Sequence, residues 1–276
     1  IIRTLNEEIY LDQLIKKIKR QNLNSKLKYE IILVDSGSTD NTLKIAERQK
    51  INIIKIKKEE FSFGRSLNYG CKFANGKMLV FISGHCVPLK DNWLINLCEP
   101  LIKNKAEYVY GRQVAGKETK FSEHVHFNKF FPEQIIVKKV SNEDNRSEFV
   151  DHHSEFFCNN ANSALLKETW EKFKFDENAV ALEDLLLAKK IKDNNGKILY
   201  VPNSEVVHNH NENFKKIKNR YEREAVALNL IINQINFSFF DFIRLFFLNI
   251  FFDFSEATKK KIFLKNFMSI LHFRFA

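Results

Sequence analysis

Four short tracts set chemistry-bearing side chains at the ends of apolar runs. In VDSGSTDNT (Val34 to Thr42) a carboxylate, Asp35, closes a β-branched run; Ser36, Gly37 and Ser38 make a tight turn, and Asp40 or Asn41 is placed to cap a following helix. Asp35 either serves that turn or accepts hydrogen bonds from a base or ribose, with nearby backbone N–H groups facing phosphate. In FISGHCVP (Phe81 to Pro88) the imidazole of His85 stands just past another such run, as a structural hydrogen-bonding group, a diphosphate contact or a ligand for a divalent metal. In EVVHNH (Glu205 to His210) one residue separates His208 from His210, so both project to the same side of an extended segment. One of these nitrogens, His85 and phosphate oxygens would make an open site that takes metal only with substrate present. In ALEDLLLAKKI (Ala181 to Ile191) Glu183 and Asp184 begin a helix. Carboxylates there suit the helix's partial positive charge, and beside a pocket one can take a proton while the other positions a hydroxyl.

Elements of two kinds must hold these tracts. Ile1 to Thr4 reads as the end of a strand, and Leu11, Leu14, Ile15 and Ile18 follow at helical spacing. Strands are expected at Ile31 to Val34, Ile51 to Ile56 and Met78 to Ile82, separated by helices from about Asn41 and near Ser66 to Ala74. This alternation predicts an α/β fold, a mainly parallel sheet flanked by helices on both faces, in which ligands bind beyond the carboxyl ends of the strands. The stretch from about Gln113 to Asn160, with HVH at His124 to His126 and DHH at Asp151 to His153, shows no period and reads as a long connection over a site. Later come a short strand at Ala164 to Leu166, a helix near Leu182, a strand at Lys197 to Val201, and a helix from Phe214 to Ile235 with Ile217, Tyr221, Ala225, Leu228 and Ile232 on one side.

Taken together, RTLNEE (Arg3 to Glu8), VDSGSTDNT, Asn68 of FGRSLNYG, FISGHCVP, NSALLKETWEKFKFDEN (Asn162 to Asn178), LEDLLLAKKI and LYVPNSEVVHNH follow one another in the order and approximate spacing of the family 2 glycosyltransferases. That inverting GT-A class includes many bacterial polysaccharide and rhamnosyl-type transferases. The resemblance runs from Ile1 to about His210. It implies that Thr4, Asn6, Glu7 and Asp35 cradle the nucleoside of a UDP- or dTDP-sugar, with Asn68, Ser83 and His85 also on the donor side. It further implies that Asp184 is the catalytic base, with Glu183 beside it touching the acceptor, and that His208 or His210 joins a metal. Arg112 of YGRQV, near another strand end, is either a further positive charge for the diphosphate or a surface arginine. The class usually carries a DxD motif after its fourth strand and uses Mn or Mg. Here that place reads Ser83-Gly84-His85, with His85 at the second aspartate's position. Imidazole suits Mn- or Zn-like ions better than Mg, so use of a divalent metal is left open beside a site that neutralises diphosphate with His and Lys/Arg alone. The usual Arg before Asn68 is Leu67, and Arg65 is the nearby candidate to replace it.

Composition divides the chain. Of its 276 residues, 44 are Lys or Arg and 34 Asp or Glu, a net charge of +10, and 14 of the 27 phenylalanines lie from Asn211 onward. The expected organisation is a glycosyltransferase domain over 1–210, incomplete at a start that lacks Met, and a Phe-rich basic helical tail over 211–276. In Phe237 to Phe254, Ser238, Asp241, Arg244, Asn249 and Asp253 fall on one half of a helix and most phenylalanines on the other. With Lys259 to Lys261 behind it, the tail resembles an interfacial helix drawn to anionic lipid; the same phenylalanines could instead pack on the catalytic domain or a partner. No run is long enough to span a membrane, and no RNA or DNA motif accompanies the basic charge. Cys71, Cys86, Cys98 and Cys158 form no CxxC pair and read as reduced thiols of the cytoplasm. The expected activity is inverting transfer of a sugar to a hydroxyl of a glycan or lipid-linked glycan, at the inner face of the plasma membrane. The alternative, suggested by the lost DxD, is a non-catalytic nucleotide-sugar or glycan-binding module.

Overall fold

Leu11, Leu14, Ile15 and Ile18 can share one side only in a helix, and Leu11–Lys19 forms α1 with all four sealed beneath it. The structure, a computed structural model, describes residues 1–23, 27–134, 156–232 and 237–276. Around α1 the β-branched runs form β1 (Ile2–Thr4), β2 (Ile32–Asp35), β3 (Asn52–Lys55) and β4 (Met78–Ser83). Helix α2 (Thr42–Arg48) joins β2 to β3, and α3 (Phe63–Phe73) precedes β4. Strand β1 lies between β2 and β4, parallel to both, so the loops after Thr4, Asp35 and Ser83 leave the sheet together.

The rest of the sheet comes from β5 (Cys86–Pro88), β6 (Tyr108–Ala115), β7 (Asn162–Leu166) and β8 (Ile198–His208). Interleaved helices are α4 (Trp93–Ile102), α5 (Phe121–Phe130), α6 (Lys167–Phe173) and α7 (Glu183–Asp193). The order is β3-β2-β1-β4-β7-β6-β8-β5. Four of the seven neighbouring pairs are parallel, and the antiparallel ones are the two made by β7 and the β5–β8 pair. The expected mainly parallel sheet is therefore present. One face is covered by Leu14 and Ile15 of α1 with Trp93 and Leu97 of α4; the other by Leu67 of α3, Trp170 of α6 and Leu187 of α7. Asn162 pins the centre: it accepts from Trp93 Nε1 at 2.9 Å and donates to the carbonyls of Arg112 and Ser204, where β6 and β8 shift register.

Two expectations about the strands and helices up to His210 need correction. The stretch from Gln113 is not irregular throughout, because β6 continues to Ala115 and α5 is a helix whose buried side carries Glu123 and Phe127. Asp151 to His153 lie outside the described residues. The runs KILYV and EVVH belong to one strand, β8, held in line by its pairing with β6 and β5, and His210 lies just past its end.

The tail folds as α8 (Phe214–Ile231), α9 (Phe239–Lys259) and α10 (Phe263–Phe275). In α8 Ala225 is exposed and Ala227 and Ile231 are buried, because Arg220 turns inward to Glu123 and rotates the buried stripe. In α9 the buried seam is Ile250, Asp253 and Ala257, so Asp253 is not on a solvated polar half. Asp253 is fully buried and takes a two-pronged ion pair from Arg274 at 2.7 and 2.8 Å. Ala257 and Ile270 pack with Phe121 and Val125 of α5, while Phe240, Phe247, Phe251 and Phe252 point away from the protein.

Candidate active site

Pairing of β5 with β8 puts Cys86 opposite His208, which brings His85 beside it from 123 residues away. The ring centroids of His85, His208 and His210 lie 4.1 to 5.6 Å apart. Each ring is held through Nδ1 at 2.6 Å: His85 by Glu7, His208 by Gln113 and His210 by Glu123. A carboxylate oxygen only accepts, and Gln113 presents its amide oxygen because its nitrogen donates to Asn159. Each Nδ1 therefore carries a proton, and His208, kept neutral, has its lone pair on Nε2. The Nε2 atoms of His85 and His208 face each other at 3.0 Å. Burial, then the neighbouring His210 and His85, hold His208 well below the usual imidazole pKa and keep it neutral. Gly84 permits this arrangement, since a Cβ there would meet Glu7 Cγ at 2.7 Å and Thr4 Cγ2 at 2.9 Å.

The carboxylate pair sits at the mouth of α7. Leu182, immediately before it, adopts the left-handed region at φ 55°, a conformation that costs a branched residue about 1–2 kcal/mol. That turn directs Glu183 and Asp184 inward, where both are buried. Asp184 Oδ2 accepts the Asn160 N–H and Oδ1 its neighbour Leu185 N–H, each at 2.8 Å. Burial, then the adjacent charge of Glu183, raise its pKa to about 7 against the opposing pull of those N–H groups and Arg3. The guanidinium of Arg3 reaches Glu183 at 3.1 Å.

Both clusters line one cavity of about 580 Å³, with Arg3, Ser83 and Asn160 between them. Asn160 has its side-chain oxygen taken by the Tyr108 and Ser163 hydroxyls, and its Nδ2 is buried with no partner among the described residues. Arg3, Gln113, Glu123 and Asn160 were missed in the sequence, where the first three sit in strands and a helix, and Asn160 in the turn before β7, with no local chemical signature. RTLNEE and the NN of FCNNANSA were the only hints.

The remaining expected residues do not line this cavity. Thr4 is buried and donates to Asp35, whose carboxylate is engaged by the Gly37 and Ser38 N–H groups and the Ser38 hydroxyl. Asn6, at φ 58°, accepts the Thr39 N–H at 2.8 Å and ties the first loop to the second. Glu7 orients His85. Asn68 accepts from Trp170 Nε1 and Phe175 N–H, donates to the Phe175 carbonyl and Glu177, and so binds α3 to the segment after α6. Arg65 pairs with the same Glu177. Arg112 bonds Glu205 and the Phe131 carbonyl.

Residues 1–167 match the family described as Glycosyl transferase family 2. The chain belongs to that family. Among its relatives is the O-antigen chain rhamnosyltransferase RfbN of Salmonella typhimurium, 25% identical over 229 residues, covering 80% of this chain and 69% of that protein. The O-antigen chain rhamnosyltransferase WbaN of Salmonella anatum is 25% identical over 195 residues, 70% of this chain and 60% of that protein. The GT-A fold is shared with glucosyl-3-phosphoglycerate synthase from Mycobacterium tuberculosis, solved with Mn2+, UDP-glucose and phosphoglyceric acid: TM-score 0.60, 18% identity, 85% of this chain and 79% of that one. S. aureus TarS 1-349 superposes with TM-score 0.54 at 17% identity over 84% of this chain and 64% of that one.

This family 2 glycosyltransferase carries its histidine cluster at the wall of the same cavity as the carboxylate pair. The donor set fits a divalent cation: three imidazoles offer nitrogens that all lie within 4.8 Å of one another. A second grouping, Glu123, His210 and Glu212, is already neutralised by Arg220, which bonds both carboxylates at 2.6 and 2.8 Å.

Proposed function

We propose that this chain is an inverting transferase of bacterial surface polysaccharide synthesis. It would move a hexosyl or deoxyhexosyl group from a UDP- or dTDP-sugar to a hydroxyl of a glycan or lipid-linked glycan. The observation that carries this reading is Asp184: a buried carboxylate, tuned toward neutrality, fixed by two N–H groups and open to the cavity that also holds the histidines. In the proposed reaction Asp184 takes the acceptor hydroxyl's proton as the oxygen attacks the anomeric carbon opposite the leaving nucleoside diphosphate, which inverts the configuration. Glu183 and Arg3 position the acceptor, and Asn160 Nδ2 offers a hydrogen bond to a sugar oxygen. A divalent cation held by His85, His208 and His210 would neutralise charge on the diphosphate. Asp35, Thr4 and Asn6 shape the nucleoside side; Asp35 meets a base only by exchanging hydrogen bonds it now makes to its own turn.

The relatives' O-antigen activities support the polysaccharide setting. The tail supports a membrane face: Phe240, Phe247 and Phe251 recur at helical spacing on the outer side of α9, with exposed Arg244, Lys259, Lys260, Lys261 and Lys265 nearby. No helix among the described residues is long and apolar enough to cross a membrane. On this reading the tail lies on anionic lipid while its inner side, through Arg274 and Asn249, completes the cavity.

The test is transfer from a panel of UDP- and dTDP-sugars to hydroxyl acceptors, with product configuration read by NMR. Inverted product, with Asp184→Asn slower by about 10²–10⁴ at retained donor affinity, is the expected result. Unchanged turnover removes Asp184 from the mechanism. Donor binding without turnover anywhere in the panel favours a non-catalytic binding module.

A further inference from the structure

We infer that His85, His208 and His210 form a preorganised three-imidazole site that takes a borderline transition metal, zinc, cobalt or manganese in preference to magnesium, before any nucleotide is bound. The inference deepens the reading of this cluster as the cation site of the donor pocket and rests on it.

Three features set the site apart from one completed only by substrate. The first is ligand number: three protein nitrogens converge within 4.8 Å, enough to hold a tetrahedral ion with one position left for oxygen. The second is the outer shell. Each Nδ1 is anchored at 2.6 Å by a different oxygen, so tautomer and ring orientation are set in advance. Those anchors are themselves held: the Glu7 backbone N–H donates to Thr42, Gln113 donates to Asn159, and Glu123 is clasped by Arg220. The third is the 3.0 Å approach of the His85 and His208 Nε2 atoms, which places two of the three donors side by side at the cavity. Nitrogen donors rank the divalent metals by softness, whereas magnesium demands oxygen.

The experiment uses the purified chain, stripped with chelator and free of nucleotide. Cobalt binding is followed by its visible absorption and zinc, manganese and magnesium binding by calorimetry. One cobalt or zinc per chain is expected, with the low-coordinate absorption of a nitrogen site and an affinity at least about a hundredfold above magnesium's. Gln113→Leu, which leaves all three ligands in place, is expected to weaken zinc binding by about 10–100-fold. His208→Ala is expected to abolish the cobalt spectrum, with folding of each variant checked by circular dichroism. Binding that appears only with UDP present, or equal affinity for zinc and magnesium, overturns the inference. If transfer proceeds but metal binds only with nucleotide, this inference fails and the proposed function stands; if zinc binds and no sugar moves, the reverse holds.

Discussion

Arg3 Nη1 stands 3.1 Å from Glu183 Oε1, across 180 residues of sequence, and joins the end of the first strand to the carboxylate pair at the mouth of α7. A positive charge there moderates the mutual repulsion of Glu183 and Asp184. Replacing Arg3 with Met is expected to raise Asp184 further, since the Arg3 charge favours its ionised form. A base works when deprotonated, so activity rises with pH through about 7 in the parent chain, and the acidic limb moves to higher pH in the variant. The linked stability runs the other way: the fold holds this proton more tightly than the unfolded chain, a contribution present in acid and lost as pH rises through about 7. A pH–rate profile unmoved by Arg3→Met would detach Arg3 from the base.

Asp253 and Arg274 make the buried joint of the tail, with side chains 0% and 9% exposed. Arg274→Met leaves a carboxylate buried without its partner and is expected to cost about 3–5 kcal/mol in denaturant unfolding. The double variant Asp253→Leu/Arg274→Met removes both charges and is expected to recover most of that loss. Arg274 also bonds His126 at 2.8 Å, and burial, then the Arg274 charge, lower the His126 pKa to about 4. Equal destabilisation in the single and double variants would mean that packing, not the stranded charge, is the cause.

Asn68 gives a prediction of the opposite kind. Four hydrogen bonds commit it to Trp170, Phe175 and Glu177, so Asn68→Ala is expected to lower stability by about 1–3 kcal/mol. Donor affinity measured by calorimetry should stay within about twofold, since no atom of the 580 Å³ cavity is removed. A large loss of donor affinity in a stable variant would return Asn68 to the donor site.

The outward phenylalanines of α9 are tested with vesicles. The chain is expected to sediment with phosphatidylglycerol-rich vesicles, less in high salt and little with neutral lipid. Phe240→Ser/Phe251→Ser should weaken binding about tenfold or more while leaving unfolding nearly unchanged, because both side chains are exposed. Vesicle binding that survives the double change would move the contact to another surface.

Local pattern was enough for α1, for β1 to β4 and for the loops beyond them, because periodicity and turn chemistry act over a few residues. It was enough, too, for Asp184 at a helix start and for the two-residue spacing of His208 and His210. It failed at β6 and α5, where aromatic and polar residues alternate without a period, and it gave no sign that Asn68 would bond Glu177, 109 residues away, or Arg112 Glu205, 93 residues away. Which histidines meet was decided by β5 crossing to pair with β8. Which groups anchor them was decided by β6 and α5 supplying Gln113 and Glu123. The orientation of α9 followed from the buried Asp253–Arg274 pair, which a helical wheel places among solvated residues. In each case the deciding contact joins residues far apart in the chain. Side-chain identity announces the chemistry, but burial and partner choice exist only once the sheet has brought those residues together.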